Sequence, residues 1–202
     1  MNAADIALVR LSEVPLEAVN ALLNDERSHR HLPLAGPFTL DQAAAWVRDK
    51  DAQWDDAGYG PWAVTVHGRL VGWGGFQREE SGADLGLVLH HADWGLGRSI
   101  CHLMIERGFT EFGLDAVTVA LPFSRNATRA LMRFGFRPDG EVAYGGTSFR
   151  QYRLHRADWQ ARTAPDREVA RPRASPREQD RETGTKDAAS HRGLLPGLLE
   201  PR

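Results

Sequence analysis

The stretch Asp84–Phe112, DLGLVLHHADWGLGRSICHLMIERGFTEF, decides how the rest of the chain is read. Leu85–Leu89 is a short apolar run of strand type, a turn follows, and glycines then open a helix. Gly95 and Gly97 bracket Leu96, with Arg98 and Ser99 next, while Ile100, Leu103, Met104 and Phe109 predict one buried helical face. A helix entered through glycines offers free backbone N–H groups at the positive end of its dipole. The missing Cβ atoms also let a ligand approach closely. Arg98 and Ser99 add a charge and a hydroxyl donor. The unit reads as a strand–loop–helix anion site suited to a phosphate. It is not a P-loop, because the preceding GxxxxG and the Lys are missing. Nor is it a complete dinucleotide fingerprint, because Ile100 stands where the third glycine belongs. A lone pair of glycines leaves a plain tight turn as the other reading.

Upstream, Ile6–Leu11 is a strand, and Pro15 opens a helix with Leu16, Val19, Leu22 and Leu23 on its apolar face. After a segment rich in His, Arg, Pro and Gly, Thr39 is the expected N-cap of a second helix, Leu40–Lys50. Asp55–Gly60 reads as a turn-rich linker. Pro61–Val66 and Leu70–Gln77 are strands around the turn His67-Gly68-Arg69, and Gly72, Gly74 and Gly75 imply a bulge or a close backbone approach. Trp62, Trp73 and Phe76 are read as core. Glu79–Gly82 is a hairpin connection to the Leu85–Leu89 strand.

Downstream, Ala116–Leu121 is an apolar run whose place after a strand–helix pair predicts a buried parallel strand. Ser124–Phe134 is a short helix closed by Gly135, and Glu141–Tyr144 and Thr147–Leu154 form a hairpin around Gly145-Gly146. Trp159 is read as the end of the domain. The expected fold class is α/β (α+β), with one domain over 1–160 built on a mixed, mostly antiparallel sheet of about seven strands.

From Arg162 there is no aromatic residue, five of the eleven prolines fall there, and nine basic residues face seven acidic ones. Such a segment buries too little apolar area to offset its chain entropy, so 161–202 is expected to be a disordered charged tail. A formal charge of -2 argues against a dedicated nucleic-acid partner. The single cysteine, Cys101, excludes an internal disulfide and reads as a small buried hydrophobe. No apolar run approaches membrane-span length, and the expected location is the cytoplasm.

On Asp84–Leu89 (DLGLVL) and Trp94–Ser99 (WGLGRS) the chain resembles the GNAT N-acetyltransferase superfamily, in particular the branch of the ribosomal-protein alanine N-acetyltransferases. Members of that branch carry a strand of the form EIGYxL and a helix start of the form WGxGxA. In the superfamily signature Q/R-x-x-G-x-G/A, Trp94 takes the first place, Gly97 the essential glycine and Ser99 the last small residue. The resemblance covers Ile6–Trp159. It implies helices on both faces of the sheet, a splayed parallel strand pair, and acetyl-CoA as cosubstrate.

By position, the resemblance assigns Leu87, Val88 and Leu89 to the pantetheine arm, with a backbone N–H there for the developing oxyanion. Gly95, Leu96, Gly97, Arg98, Ser99 and Ile100 would cradle the pyrophosphate. Either Ser124 or Asn126 would make a polar contact to the pantetheine. Asp84 takes the place of the strand carboxylate and is the first candidate for the base, with Glu79, Glu80 and His31 behind it. Leu131 stands where many relatives have a Tyr acid, so the thiolate would leave unassisted or be served by water or another hydroxyl. His29, His31, Pro33 and Phe38 fall in the segment that lines the acceptor pocket in such enzymes. The reaction needs no metal, and adjacent His90 and His91 without a third ligand argue against one.

The implied activity is transfer of an acetyl group to a primary amine, either a protein N-terminus or a small molecule. Arg27, Arg30 and the two histidines of the acceptor segment lean toward a peptide or an acceptor with an anionic group. The other reading is a non-catalytic acetyl-CoA sensor or scaffold. No membrane partner is expected, and either a monomer or a homodimer is compatible with the sequence.

Overall fold

The computed structural model describes residues 5–27, 37–125, 127–144 and 146–164. Seven strands form one sheet: β1 (Ile6–Val9), β2 (Pro61–Val66), β3 (Arg69–Glu79), β4 (Gly82–Leu89), β5 (Ala116–Pro122), β6 (Arg137–Tyr144) and β7 (Thr147–His155). Their order is β1-β2-β3-β4-β5-β7-β6. Every neighbouring pair is antiparallel except β4 and β5, which are parallel. Between those two strands the chain passes through α3 (Gly97–Thr110), the crossover helix that a parallel pair requires. The other helices are α1 (Leu16–Leu23), α2 (Leu40–Ala57), α4 (Thr128–Phe134) and α5 (Arg156–Thr163).

Period-two alternation along β4 builds a core on each face of the sheet. Ala83, Leu85 and Leu89 pack with Phe76, Ile100, Met104, Ile105 and Trp159 on the α3 and α5 side. Val88 packs with Trp73, Val19, Leu23, Ala43 and Val47 on the α1 and α2 side. Trp62, Trp73 and Phe76 are all core, as expected. No helix among the described residues is long and apolar enough to cross a membrane.

Several boundaries move where tertiary contacts act on them. The first strand stops at Val9, and Leu11–Glu13 forms a 3-10 turn instead. The Asp51 carboxylate draws the chain aside there, accepting Leu11 N–H at 3.3 Å and Ser12 N–H at 3.2 Å. Helix α2 runs to Ala57 rather than Lys50, through part of the expected linker. Trp54 anchors this extra length: its Nε1 donates to the Pro61 carbonyl at 3.1 Å and its ring meets Trp62 at 5.1 Å. Gly58, at φ 75°, ends the helix in the left-handed conformation. Helix α4 begins at Thr128 rather than Ser124, because Arg150 reaches the carbonyls of Phe123 and Arg125 and holds that stretch as a turn. In α3 the buried face includes Ile105 and Gly108, while Leu103 is only half-buried. Helix α5 extends to Thr163, and Trp159 is buried within it.

The glycines of β3 mark a close approach. A Cβ on Gly72 would lie 2.4 Å from the Val88 carbonyl oxygen, and one on Gly74 would lie 2.5 Å from that of Gly86. Neither carbonyl can retreat without disturbing the β3–β4 ladder. Gly72→Ala should therefore lower the unfolding free energy by about 1–3 kcal/mol, read as an earlier midpoint in urea.

Candidate active site

The parallel pair sets the geometry of the site. Strands β4 and β5 pair only at Ala83↔Val117 and Asp84↔Thr118. Beyond that point β4 stays with β3 as far as Gly72↔Leu89, while β5 stays with β7 as far as Pro122↔Phe149. The two strands therefore diverge into a wedge with Asp84 and Thr118 at its vertex. Leu87, Val88 and Leu89 line the β4 side of that wedge. The Leu89 carbonyl accepts from Trp94 Nε1 at 3.2 Å, which ties the strand end to the following turn.

The turn is a 3-10 segment, His91–Leu96, and α3 starts at Gly97. Gly97 has ordinary helical angles, φ -52° and ψ -37°, so backbone strain does not demand a glycine there. Nor does crowding within the chain: a Cβ on Gly95 would meet nothing within 4 Å, and one on Gly97 only Leu89 Cδ1 at 3.6 Å, so the space in front of both is open. No side chain caps the N-terminus of α3, and its first turn holds no acidic residue. The Gly97 N–H is taken by the Trp94 carbonyl, but the helix dipole and open space coincide at this uncapped start, which favours an anion. Arg98 and Ser99 are exposed beside it, Leu96 is half-buried, and Ile100 is fully buried, so Ile100 can offer only backbone. Across the wedge, Ser124 is exposed in the turn after β5, and Asn126 lies outside the described residues.

Asp84 is half-buried on the α1–α2 face of the sheet, opposite the side that carries α3. Its Oδ1 accepts from the Thr118 hydroxyl at 3.2 Å, and that hydroxyl also reaches the Ala83 carbonyl at 3.3 Å. Burial pushes the Asp84 carboxyl up from 3.8 to about 6. The charge of Glu79 acts in the same direction, while the Thr118 hydroxyl and a backbone bond at Ala120 oppose it. A carboxylate of this kind is ionised at neutral pH yet basic enough to accept a proton.

Other polar groups share this face, and the sequence pattern did not flag them as site residues. Gln77 pairs in register with Asp84, and Lys50 of α2 donates to Gln77 Oε1. The Lys50 ammonium lies 5.9 Å from the Trp46 ring centre and 5.7 Å from that of Trp73. Burial lowers its pKa, with Glu79 and Asp49 opposing. Gln151 of β7 donates to the Ser81 hydroxyl at 2.7 Å. The Tyr144 hydroxyl is buried, and burial with the nearby charge of Asp84 raises its pKa, so it stays protonated. These groups come from α2, β3, β5, β6, β7 and one turn, a convergence that no local spacing announces. Cys101 is half-buried rather than fully buried, and burial pushes its thiol up to about 11, which keeps it protonated.

In the segment expected to line an acceptor pocket, Phe38 is half-buried, its backbone clamped by the Asn24 side chain at 2.7 and 3.0 Å. With Gln42, Ala45, Trp46 and Asp49 it lines an open cavity of about 330 Å³. His29, His31 and Pro33 lie outside the described residues. Leu131 packs partly buried against the core, with no proton to give.

The family model of the GNAT acetyltransferase domain matches residues 5–137. No curated protein matches the chain in sequence. Among solved structures, an acetyltransferase from Agrobacterium tumefaciens is similar at 17% identity and TM-score 0.62, covering 77% of this chain and 93% of that one. An aminoglycoside acetyltransferase in complex with coenzyme A is similar at 15% identity and TM-score 0.63, covering 78% of this chain and 97% of the other. The spermidine N-acetyltransferase from Vibrio cholerae, in complex with CoA and spermine, is similar at 12% identity and TM-score 0.63, covering 77% and 98%.

Proposed function

The chain belongs to the GNAT acetyltransferase domain family, and from that premise we propose that it moves the acetyl group of acetyl-CoA onto the nitrogen of a primary amine. The observation that carries this reading is the wedge between β4 and β5, which opens beside the uncapped start of α3 and has Asp84 at its vertex. Acetyl-CoA, when bound, supplies an acyl group activated as a thioester. Gly95–Ile100, at the uncapped start of α3, would cradle the pyrophosphate, with the Arg98 and Ser99 side chains beside it. Backbone groups of Leu87, Val88 and Leu89 would hold the pantetheine, with Ser124 or Asn126 opposite.

Asp84 takes the proton that the attacking ammonium must shed, directly or through a water, and releases it to solvent. As the acceptor nitrogen bonds to the acetyl carbon, the bond from that carbon to sulfur breaks, the nitrogen gives its second proton to water, and the sulfur departs as a thiolate that takes up one proton. Tyr144, the protonated hydroxyl on the same face, is the candidate donor to the leaving sulfur, since Leu131 cannot serve. A thiol of ordinary pKa near 8.5 also leaves tolerably without help.

A small cationic amine is the acceptor we favour over a protein N-terminus. Glu79 and Asp49 supply negative charge around Lys50, and Trp46 offers an aromatic face in the cavity with Phe38. The spermine and aminoglycoside named for two of the structural neighbours support the same class. The test is release of CoA thiol from acetyl-CoA against a panel of polyamines and aminoglycosides and a panel of peptides with free N-termini. Turnover on the amines is expected. Turnover on peptides alone would move the acceptor to a protein N-terminus, as in the ribosomal-protein alanine branch. Acetyl-CoA binding with silence on both panels would mark a sensor, and no binding would overturn the reading.

The base assignment has its own signature. With an acceptor amine of low pKa, kcat/KM should rise with pH and level off above about 6, as Asp84 loses its proton. Thr118→Val removes the hydroxyl that favours the ionised form, so the acid limb should move upward by about one unit. An unmoved limb would assign the titration to another group.

A further inference from the structure

We propose that Asp25, His90 and His91 form a binding site for a divalent transition-metal ion, with zinc as the probe. Sequence shows only two adjacent histidines, and the fold supplies a third ligand from 66 residues upstream of His91. Asp25 Oδ2 lies 3.4 Å from His91 Nδ1 and 4.0 Å from His90 Nε2. One ligand atom from each residue can be chosen so that all lie within 4.8 Å of one another. Zinc held at roughly 2.0–2.1 Å in tetrahedral geometry sets its ligand atoms about 3.3 Å apart. The Asp25–His91 edge already has that length, and modest side-chain rotation closes the others.

The site has support behind its ligands. The two imidazoles pack against each other with ring centres 4.3 Å apart. All three residues are half-buried, so their bodies are held while the ligand atoms remain reachable. His90 Nδ1, the nitrogen facing away from Asp25, lies 3.9 Å from Asp93 Oδ2. Asp93 is itself fixed by two bonds from Arg69, at 2.8 and 3.1 Å. A carboxylate behind a ligating imidazole orients the ring and raises its basicity. Ala92 N–H donates to the same His90 Nδ1 at 3.4 Å, a long bond. Metal at Nε2 would put the proton on Nδ1, which would then give up the Ala92 N–H and turn toward the Asp93 carboxylate.

Two imidazole nitrogens and one carboxylate oxygen suit zinc and its first-row neighbours better than calcium or magnesium. Three protein ligands leave a fourth position open. Asp25 follows α1 on the acceptor side, and His90 and His91 begin the connection from β4 to α3. A bound ion would therefore tie the entrance of the acceptor segment to the glycine turn, and it does so whether or not the chain transfers acetyl groups.

The experiment uses the full chain, freed of metal with a chelator and titrated with zinc by calorimetry, with melting followed in parallel. One ion per chain at micromolar or tighter affinity and a melting point raised by several degrees are expected. Asp25→Ala and His91→Ala should each weaken binding at least about tenfold. His67→Ala, which removes an exposed histidine paired with Asp5, should leave it unchanged. Cobalt in place of zinc should give a visible tetrahedral spectrum that disappears in Asp25→Asn, a variant of nearly the same shape. Absence of stoichiometric binding overturns the proposal. So does unchanged affinity in a folded Asp25→Ala protein, which would place the ion on other histidines.

Discussion

Asp84→Asn is expected to lose roughly 100- to 10,000-fold in acetyl transfer, the range for removing a positioned base, while acetyl-CoA still binds and the protein becomes more stable. The gain in stability follows from the raised pKa. A carboxyl with a folded value of about 6 and an unfolded value of 3.8 favours the folded state only when protonated. That contribution is complete below pH 3.8 and is lost as pH rises through 6. At pH 7.5 the folded protein therefore holds an ion it disfavours, at a cost of up to ~3 kcal/mol at 1.36 kcal/mol per unit. Asn carries no charge and can still accept from the Thr118 hydroxyl. Its urea midpoint should exceed the wild type at pH 7.5, and the difference should vanish near pH 4. Lost turnover with retained acetyl-CoA affinity supports a base, whereas undiminished turnover would remove Asp84 from the chemistry. Such opposition of stability and function is common where a charge is buried for use.

Gly97→Val should weaken acetyl-CoA binding by roughly 100-fold or more and leave the fold nearly untouched. Gly97 is helical, and a Cβ there makes only an ordinary contact with Leu89, so the stability change should stay within about 0.5 kcal/mol. The added methyl groups, however, would project where the pyrophosphate approaches the first-turn N–H groups. Hydrogen bonds to a charged group contribute about 1.5–3 kcal/mol each, so losing one or two accounts for the expected factor. Calorimetry with acetyl-CoA and a thermal melt on the same sample separate the two effects. Wild-type affinity in a folded Gly97→Val protein would place the phosphates elsewhere. Gly72→Ala makes the opposite case, because there the missing Cβ serves the fold and not a ligand.

What the sequence determined by itself was whatever a local pattern encodes. Pro61–Val66 is a strand with the bounds read from its composition, and Thr39 with Gln42 forms the reciprocal N-cap at the expected start of α2. Gly135 ends α4 at φ 101° as read. The order strand, glycine turn, helix, strand already implied a parallel pair, because a crossover of that length permits no simple hairpin.

Tertiary structure decided everything set by groups distant in the chain. Trp54 and Pro61 lengthened α2, Asp51 turned Leu11 out of the first strand from 40 residues away, and Arg150 delayed the start of α4. Nothing around Asp84 in the sequence told a surface carboxylate from one held near pH 6. Thr118, 34 residues on, and burial under the neighbouring elements made that difference. Asp25 became a partner of His90 and His91 in the same way. Periodicity and capping act within a turn or two of chain, whereas desolvation and side-chain geometry depend on what the fold places alongside.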